Sequence, residues 1–348
     1  MRRRRLVRKV RRTVRRALGR TKQNRLVAAE PNPVVPDRLD SFRFFAVLGT
    51  WMEQDVVEAT VRNAFAQGVE KVFLVDNAST DATVERAVSA GATLVESFET
   101  QVYEEHIRVL FMNGVVARES LASGAEHVWW LWLDADEFPE GPDGMTILDY
   151  LRTLDRRFRL VGSTFYNHYP NSKPEYLPGF HPLDFQPLCE HYIRVLPRFC
   201  EQWHFKHPLQ RFDITGPFAM SIIGFHSANT MNPAPLLEPV GGIVTHHVQY
   251  REEGVTRRRL DLLCGGVGRN SYNHSIGNTE IGKRYASLDA IYAQRWTDVD
   301  NLRIRDANRG VAPTPWTGPV SGRRWYQPEE VEAAKAAWHE SRTLSPTE

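Results

Sequence analysis

Two groups of acids stand directly behind apolar runs. Trp132-Leu133-Asp134-Ala135-Asp136-Glu137-Phe138 closes the run Val128 to Leu133, and Val75-Asp76-Asn77-Ala78-Ser79-Thr80-Asp81 closes the run Val72 to Val75. Short, unbroken apolar runs suit strands buried on both faces, and ligands of open α/β sheets bind beyond the carboxyl ends of their strands. Asp134 and Asp136 are one residue apart at a turn, so their carboxylates can converge on one hard cation. Mg2+ and Mn2+ take oxygen ligands and bridge readily to phosphates. Asp76 can accept hydrogen bonds from a ribose or a base N–H, while Asn77, Ser79 and Asp81 supply turn geometry and cap the next helix. Either acidic turn alone is equally at home as a solvated connection. Two of them at strand ends of one sheet make a shared nucleotide site the better reading.

The elements that must position these acids are legible over the first part of the chain. Phe44 to Leu48 reads as a buried strand, Gln54 to Gln67 as a helix stopped by Gly68, and Val72 to Val75 as a second strand. Thr80 to Ala90 suits a helix, Thr93 to Val95 a strand, Tyr103 to Ser123 a longer helix, and Val128 to Leu133 a fourth strand. Strands alternating with helices imply a mostly parallel sheet with right-handed crossovers. Further on, Ile147–Leu154 reads as a helix and Leu160–Tyr166 as a strand. Residues 167–240 are rich in Pro, His and aromatics and show no clear period. Helical stretches are expected near Glu252–Leu263, Ser287–Arg295 and Pro328–Glu340.

Residues 68–81 resemble the first nucleotide-binding segment of GT-A glycosyltransferases of family 2. Leu133-Asp134-Ala135-Asp136-Glu137-Phe138 resembles that family's Asp-x-Asp motif, in the Asp-Glu-Phe form of a family 92-like branch. The branch carries a Lys-Asn-Glu sequence where this chain has Trp51-Met52-Glu53, so Glu53 alone matches. His246-His247-Val248-Gln249-Tyr250-Arg251 resembles a later segment of the branch through His247 and Arg251. The resemblance implies a GT-A-like α/β fold and transfer of a sugar from a nucleoside diphosphate sugar to a hydroxyl acceptor, with inversion. It implies Mn2+ or Mg2+ on Asp134, Asp136 and His247, and a donor contacted by Glu53, Asp76, Asn77, Asp134 and Arg251. Arginines 257–259 extend the basic segment, although a charge run on a helix is ordinarily a solvated face.

An inverting transferase needs a general base beside the acceptor hydroxyl. His168, Glu175, Asp184, Glu190, His191, His204, His207, Asp213 and His226 all lie in the middle segment, and the sequence does not choose among them. Asp184 and Glu190 stand in the aromatic-rich stretch expected to face a glycan or lipid-linked acceptor. Phosphate-loop, dinucleotide-fingerprint and nucleophile-elbow motifs do not occur. A nucleotidyltransferase on a related fold is the competing enzyme reading, disfavoured because no glycine-rich triphosphate loop follows the first strand.

With 42 % hydrophobic and 25 % charged residues, the composition is that of an ordinary globular chain. The net charge of +2 conceals an asymmetry. Residues 1–20 hold ten Arg and one Lys, which leaves 33 basic against 42 acidic residues elsewhere, a body near −9. Leu6, Val10, Val14 and Leu18 place an apolar stripe among those arginines, the pattern of an interfacial helix. Residues 1–26 are therefore expected to meet an anionic membrane surface, with the proline-rich residues 27–41 as an extended linker. A non-specific nucleic-acid binder using the arginine tail is the alternative of a different class; no specific nucleic acid is expected. Three cysteines without metal spacing and no long apolar run point to the cytoplasm, and the basic tail to a peripheral place on the inner face of the membrane. Residues 42–265 are expected to form the transferase domain and 266–348 a mainly helical extension.

Overall fold

The computed structural model describes residues 28–100, 104–170, 177–191, 206–216, 219–221, 225, 228–230, 236–264, 288–298, 312–318 and 325–344. The basic tail lies outside the described residues. After β1 (Ala28–Glu30) the chain runs β2 (Arg43–Thr50), α1 (Val57–Ala66), β3 (Lys71–Asp76), α2 (Thr83–Ser89), β4 (Thr93–Ser97), α3 (Glu105–Ser123) and β5 (His127–Asp134). It continues with β6 (Glu137–Glu140), α4 (Ile147–Thr153), β7 (Leu160–Tyr169), β8 (Leu188–His191), β9 (Lys206–Asp213), β10 (Ala219–Ser221) and β11 (Ala228–Thr230). The last elements are β12 (Leu237–Pro239), β13 (Ile243–His247), α5 (Glu253–Cys264), β14 (Thr314–Pro315) and α6 (Pro328–Leu344). The α/β fold inferred from the sequence is thus present, a sheet flanked by helices.

The main sheet has the order β14-β8-β7-β9-β5-β2-β3-β4. Its β5-β2-β3-β4 half is parallel, whereas β9, β7, β8 and β14 join by antiparallel pairing. β13 lies between β7, to which it is parallel, and β6, to which it is antiparallel. Alternation along the buried strands builds two cores. Phe44, Ala46, Leu48, Trp129, Leu131 and Leu133 pack with α1 and α4 residues on one face. Phe45, Val47, Phe73, Val75, Trp130 and Trp132 pack with Val109, Met112, Val115 and Val116 of α3 on the other.

Two segments differ from the sequence reading. The proline-rich stretch, expected to be an extended linker, is docked on the domain. β1 pairs with β12, Asp37 N donates to Asp155 Oδ2 at 2.9 Å, and Arg157 donates to the Pro31 carbonyl. The C-terminal extension keeps its helices at 288–292 and α6, and it also adds β14 to the sheet beside β8.

Gly68 ends α1 with φ 91°, just after the C-cap Gln67. A Cβ at Gly68 would lie 2.5 Å from Leu148 Cβ of α4, whereas Gly241 (φ 80°) opens on empty space. Gly241→Ala should therefore lose only the left-handed penalty, about 1–2 kcal/mol. Gly68→Ala should lose that and a further ~1–3 kcal/mol of overpacking. Urea unfolding midpoints of the two variants measure the difference; equal losses would mean that the α1–α4 contact is loose.

Candidate functional site

The carboxyl ends of β3, β2 and β5 lie side by side. Thr50 pairs with Asp76 across one edge of β2, and Gly49 with Asp134 across the other. Both acidic turns therefore open on the same end of the sheet, separated by the end of β2. The turn after β3 is tightly organised around Asp76. Its buried carboxylate accepts from Thr50 Oγ1 (2.8 Å), Ser79 N (2.7 Å) and Ser79 Oγ (2.7 Å). Asn77 bonds Thr100 through both amide atoms. Ser79 Oγ accepts from Met52 N at 2.9 Å, and Thr83 Oγ1 from Glu53 N at 2.7 Å, which stitches this turn to the loop after β2. Met52 (φ 59°) and Ala78 (φ 48°), one in each of these joined loops, are held in the left-handed region that ordinary residues avoid.

The turn after β5 is the centre of a buried charge network. Asp134 binds Arg108 of α3 (2.5 Å) and Lys206 of β9 (2.6 Å). Lys206 also donates to Glu137, and Arg108 holds Glu105 at 2.8 Å. Asp136 takes Arg259 of α5 at 2.8 Å, and the same guanidinium reaches Glu53 at 3.2 Å. Arg251 bridges Glu53 and Asp55, each at 2.8 Å. Gly49 makes the approach of Arg108 possible, because a Cβ there would lie 2.9 Å from Arg108 Nη1 and 3.0 Å from Met112 Sδ.

The proton affinities follow from these contacts. Burial works against ionising Asp134, but Arg108 and Lys206 outweigh it and hold the carboxyl well below its usual range. Burial is likewise overcome at Asp136, by Arg259 and then His247. At Glu137 burial wins. Lys206 offsets only part of it, and the charges of Asp134 and Asp136 push the same way, so the carboxyl lies well above its usual range. Glu53 is raised by burial despite Arg259 and Arg251.

Asp136, Glu137 and His247 each bring one ligand atom within 4.8 Å of the others. His247 Nε2 stands 3.6 Å from Asp136 Oδ2. Two carboxylate oxygens and an imidazole nitrogen form a donor set that suits Mn2+ or Mg2+. Around this set, Glu53, Asp55, Glu105, Asp134, Asp136 and Glu137 are ion-paired with Arg108, Lys206, Arg251 and Arg259.

The structure therefore brings together Asp136 and His247 of the metal set inferred from the sequence, with Glu137 beside them. Asp134 bridges Arg108 and Lys206 instead. Arg251, expected to contact the donor, is buried and holds the loop after β2; Arg259 is the arginine that reaches Asp136. Asp184 accepts from the Tyr326 hydroxyl. Glu190 lies in β8 opposite Asn167; its side chain lies outside the described residues. Sequence reasoning passed over Glu137 inside the motif itself, and Lys206 and Arg108, which carry no local signal. Arg259 was visible only as one of three consecutive arginines.

No family model matches this chain, and no curated protein does. Similar solved structures include glucosyl-3-phosphoglycerate synthase from Mycobacterium tuberculosis in complex with Mg2+ and uridine diphosphate, at 20 % identity and TM-score 0.24, covering 35 % of this chain and 43 % of that one. A second structure of the synthase gives 20 % identity, TM-score 0.25 and coverage of 35 % and 44 %. Its complex with Mn2+, UDP-glucose and phosphoglyceric acid gives 20 % identity, TM-score 0.24 and coverage of 35 % and 43 %. The chain thus spans less than half the length of these structures. Among the described residues, no helix is long and apolar enough to cross a membrane.

His246, next to His247, faces the core. His168 Nε2 and His246 Nδ1 are 2.9 Å apart, and His168 Nδ1 lies 2.7 Å from the Gln186 carbonyl oxygen. Burial pushes His168 down from 6.5 to about 4. In the unfolded chain it takes up a proton below pH 6.5, and in the folded protein only near pH 4. Its contribution is complete above pH 6.5 and is lost as the pH falls toward 4, by about 2 kcal/mol between pH 6.5 and 5. His168→Gln should remove that part of the slope while other groups titrate as before. Urea unfolding of both proteins at pH 6.5 and 5 checks it; parallel losses would mean that His168 titrates normally.

Proposed function

We propose that the chain is a glycosyltransferase that moves a sugar from a nucleoside diphosphate sugar to a hydroxyl acceptor, with inversion. The observation that supports this reading is the donor set of Asp136, Glu137 and His247, whose ligand atoms lie within 4.8 Å of one another at the sheet edge that also holds the Asp76 turn. Asp136, Glu137 and His247 would hold Mn2+ or Mg2+, whose charge would offset that of the diphosphate as it leaves. The turn at Asp76 and Asn77, stitched to the loop of Met52 and Glu53, would receive the nucleoside. Asp76 keeps about one lone-pair site beyond the three used by Thr50 and Ser79. Arg259 would move from Asp136 toward the diphosphate, because a cation held by Asp136 would compete for the same carboxylate. Arg251 would hold the first loop in place rather than touch the donor.

Of the two acids proposed as general base, Glu190 has the better strand position. It stands opposite Asn167, which itself contacts His247, while Asp184 is engaged by Tyr326. Metal binding needs deprotonated ligands, so the raised proton affinity of Glu137 means that metal affinity should climb with pH.

A nucleotide-release screen of UDP-, GDP- and TDP-sugars with Mn2+ or Mg2+ tests the reading directly. The wild type should release nucleoside diphosphate from at least one donor, and only with a divalent cation. Asp136→Asn should stay folded by circular dichroism and lose metal-dependent donor binding in calorimetry. A wild type that binds none of these donors with either metal, or an Asp136→Asn protein that binds as the wild type does, would sink the proposal.

A further inference from the structure

We infer that Asn167 is the residue that positions His247 as a metal ligand. The inference rests on the metal reading above and adds to it a residue that neither the motifs nor the charge network identifies. β13 runs between β6 and β7, and one cross-strand row reads Glu137–His247–Asn167. Directly opposed residues project to the same face of a sheet. Asn167 thus stands on the far side of His247 from Glu137, on the face where the ligand atoms gather.

The hydrogen bond gives this placement its chemical meaning. Asn167 is buried, 1 % exposed, and its Oδ1 lies 2.8 Å from His247 Nδ1. A carbonyl oxygen only accepts, so it fixes the proton on Nδ1. The lone pair is left on Nε2, the atom 3.6 Å from Asp136 Oδ2. Phe165, two residues earlier on β7, packs on the imidazole at 5.2 Å with the planes 55° apart. The ring is thus held at one nitrogen and on one face, and the remaining nitrogen is presented to the acids. Ligating histidines generally need such a partner on their other nitrogen.

The amide group itself supports the assignment. Asn167 Nδ2 is buried and has no hydrogen-bond partner among the described residues. Among the described residues no acceptor for that NH2 group fixes the amide's direction, so the histidine's need for an acceptor does. The reversed amide would put Nδ2 against His247 Nδ1 and force the proton onto Nε2. An N–H would then point at Asp136, and the ring could not ligate. An aspartate would serve as acceptor equally well, but it would add charge to a row that already holds Glu137.

The experiment uses the full chain and Mn2+ alone as probe. Calorimetry is run on the wild type, Asn167→Asp and Asn167→Leu, with circular dichroism to establish folding. Asn167→Leu should bind Mn2+ about 10–100-fold more weakly, and Asn167→Asp should stay within about fivefold of the wild type, because it keeps the acceptor. Long-range 1H–15N correlation on the metal-free wild type, with His247→Gln to assign the signals, should show the Nδ1–H tautomer at His247. That measurement needs no Asn167 variant to fold. A wild type that binds no Mn2+ would remove the metal reading and this inference together. A wild type that binds, with Asn167→Leu within about twofold of it, or with an Nε2–H tautomer at His247, would overturn the role of Asn167 alone. So would equal weakening in the leucine and aspartate variants, which would mark a purely steric role.

Discussion

Burying charge at the end of a parallel sheet is the constraint on which the rest of this structure depends. Several acids behind one strand cannot share a low-dielectric site unless cations are built in beside them. Each cation comes from a different element. Arg108 arrives from α3 through the gap left by Gly49, Lys206 from β9, and Arg251 and Arg259 from α5 and the loop before it. Removing one partner of such a buried pair typically costs about 3–5 kcal/mol, because the other charge is left uncompensated. The network is therefore a poor way to gain stability and a good way to fix geometry.

Strand direction explains how the partners meet. β9 runs antiparallel to β5, so its first residue, Lys206, reaches the end of β5 that bears Asp134. β13 runs parallel to β7 and antiparallel to β6, which sets His247 beside both Glu137 and Asn167. Adjacent residues of a strand face opposite ways. His247 therefore joins the acids while His246 enters the aromatic core with His168 and Trp316. Two neighbouring histidines of one motif end with different chemistry because the strand period is two.

The same period explains what the sequence discloses and what it hides. The strands β2, β3 and β5 were legible because both faces pack on apolar layers, so Phe44 to Leu48 and Val128 to Leu133 read as unbroken apolar runs. Their carboxyl ends, and hence Asp76, Asp134 and Asp136, could be placed from that alone. β9 was not legible. All eight of its residues are buried, yet they include Lys206, His207, Gln210, Arg211 and Asp213. Several are held by distant partners, such as Glu238 for His207 and Asp134 for Lys206. A strand whose burial depends on long-range ion pairs has no hydrophobic period to detect. Asn167 and Arg108 were hidden for the same reason, since only tertiary register gives them meaning.

The C-terminal segment belongs to this account as well. An exposed edge strand offers unpaired backbone groups to any passing chain, and β8 would be such an edge. β14 pairs with it, which shields the side away from β7. Tyr326 donates to Asp184 just before β8, and Trp325 Nε1 donates to the Gly179 carbonyl at 2.6 Å. Val331 of α6 packs with Phe185 and Tyr326. These contacts brace the strand that pairs with β7, and β7 carries Phe165 and Asn167 against His247. Residues more than a hundred positions beyond the acidic motif thus support the wall that orients its histidine. Pairing of this kind closes a long loop before it yields a contact. The histidine side of the site is therefore the part whose geometry depends most on completion of the whole fold, and the Asp76 turn, built from neighbouring strands, the part that depends on it least.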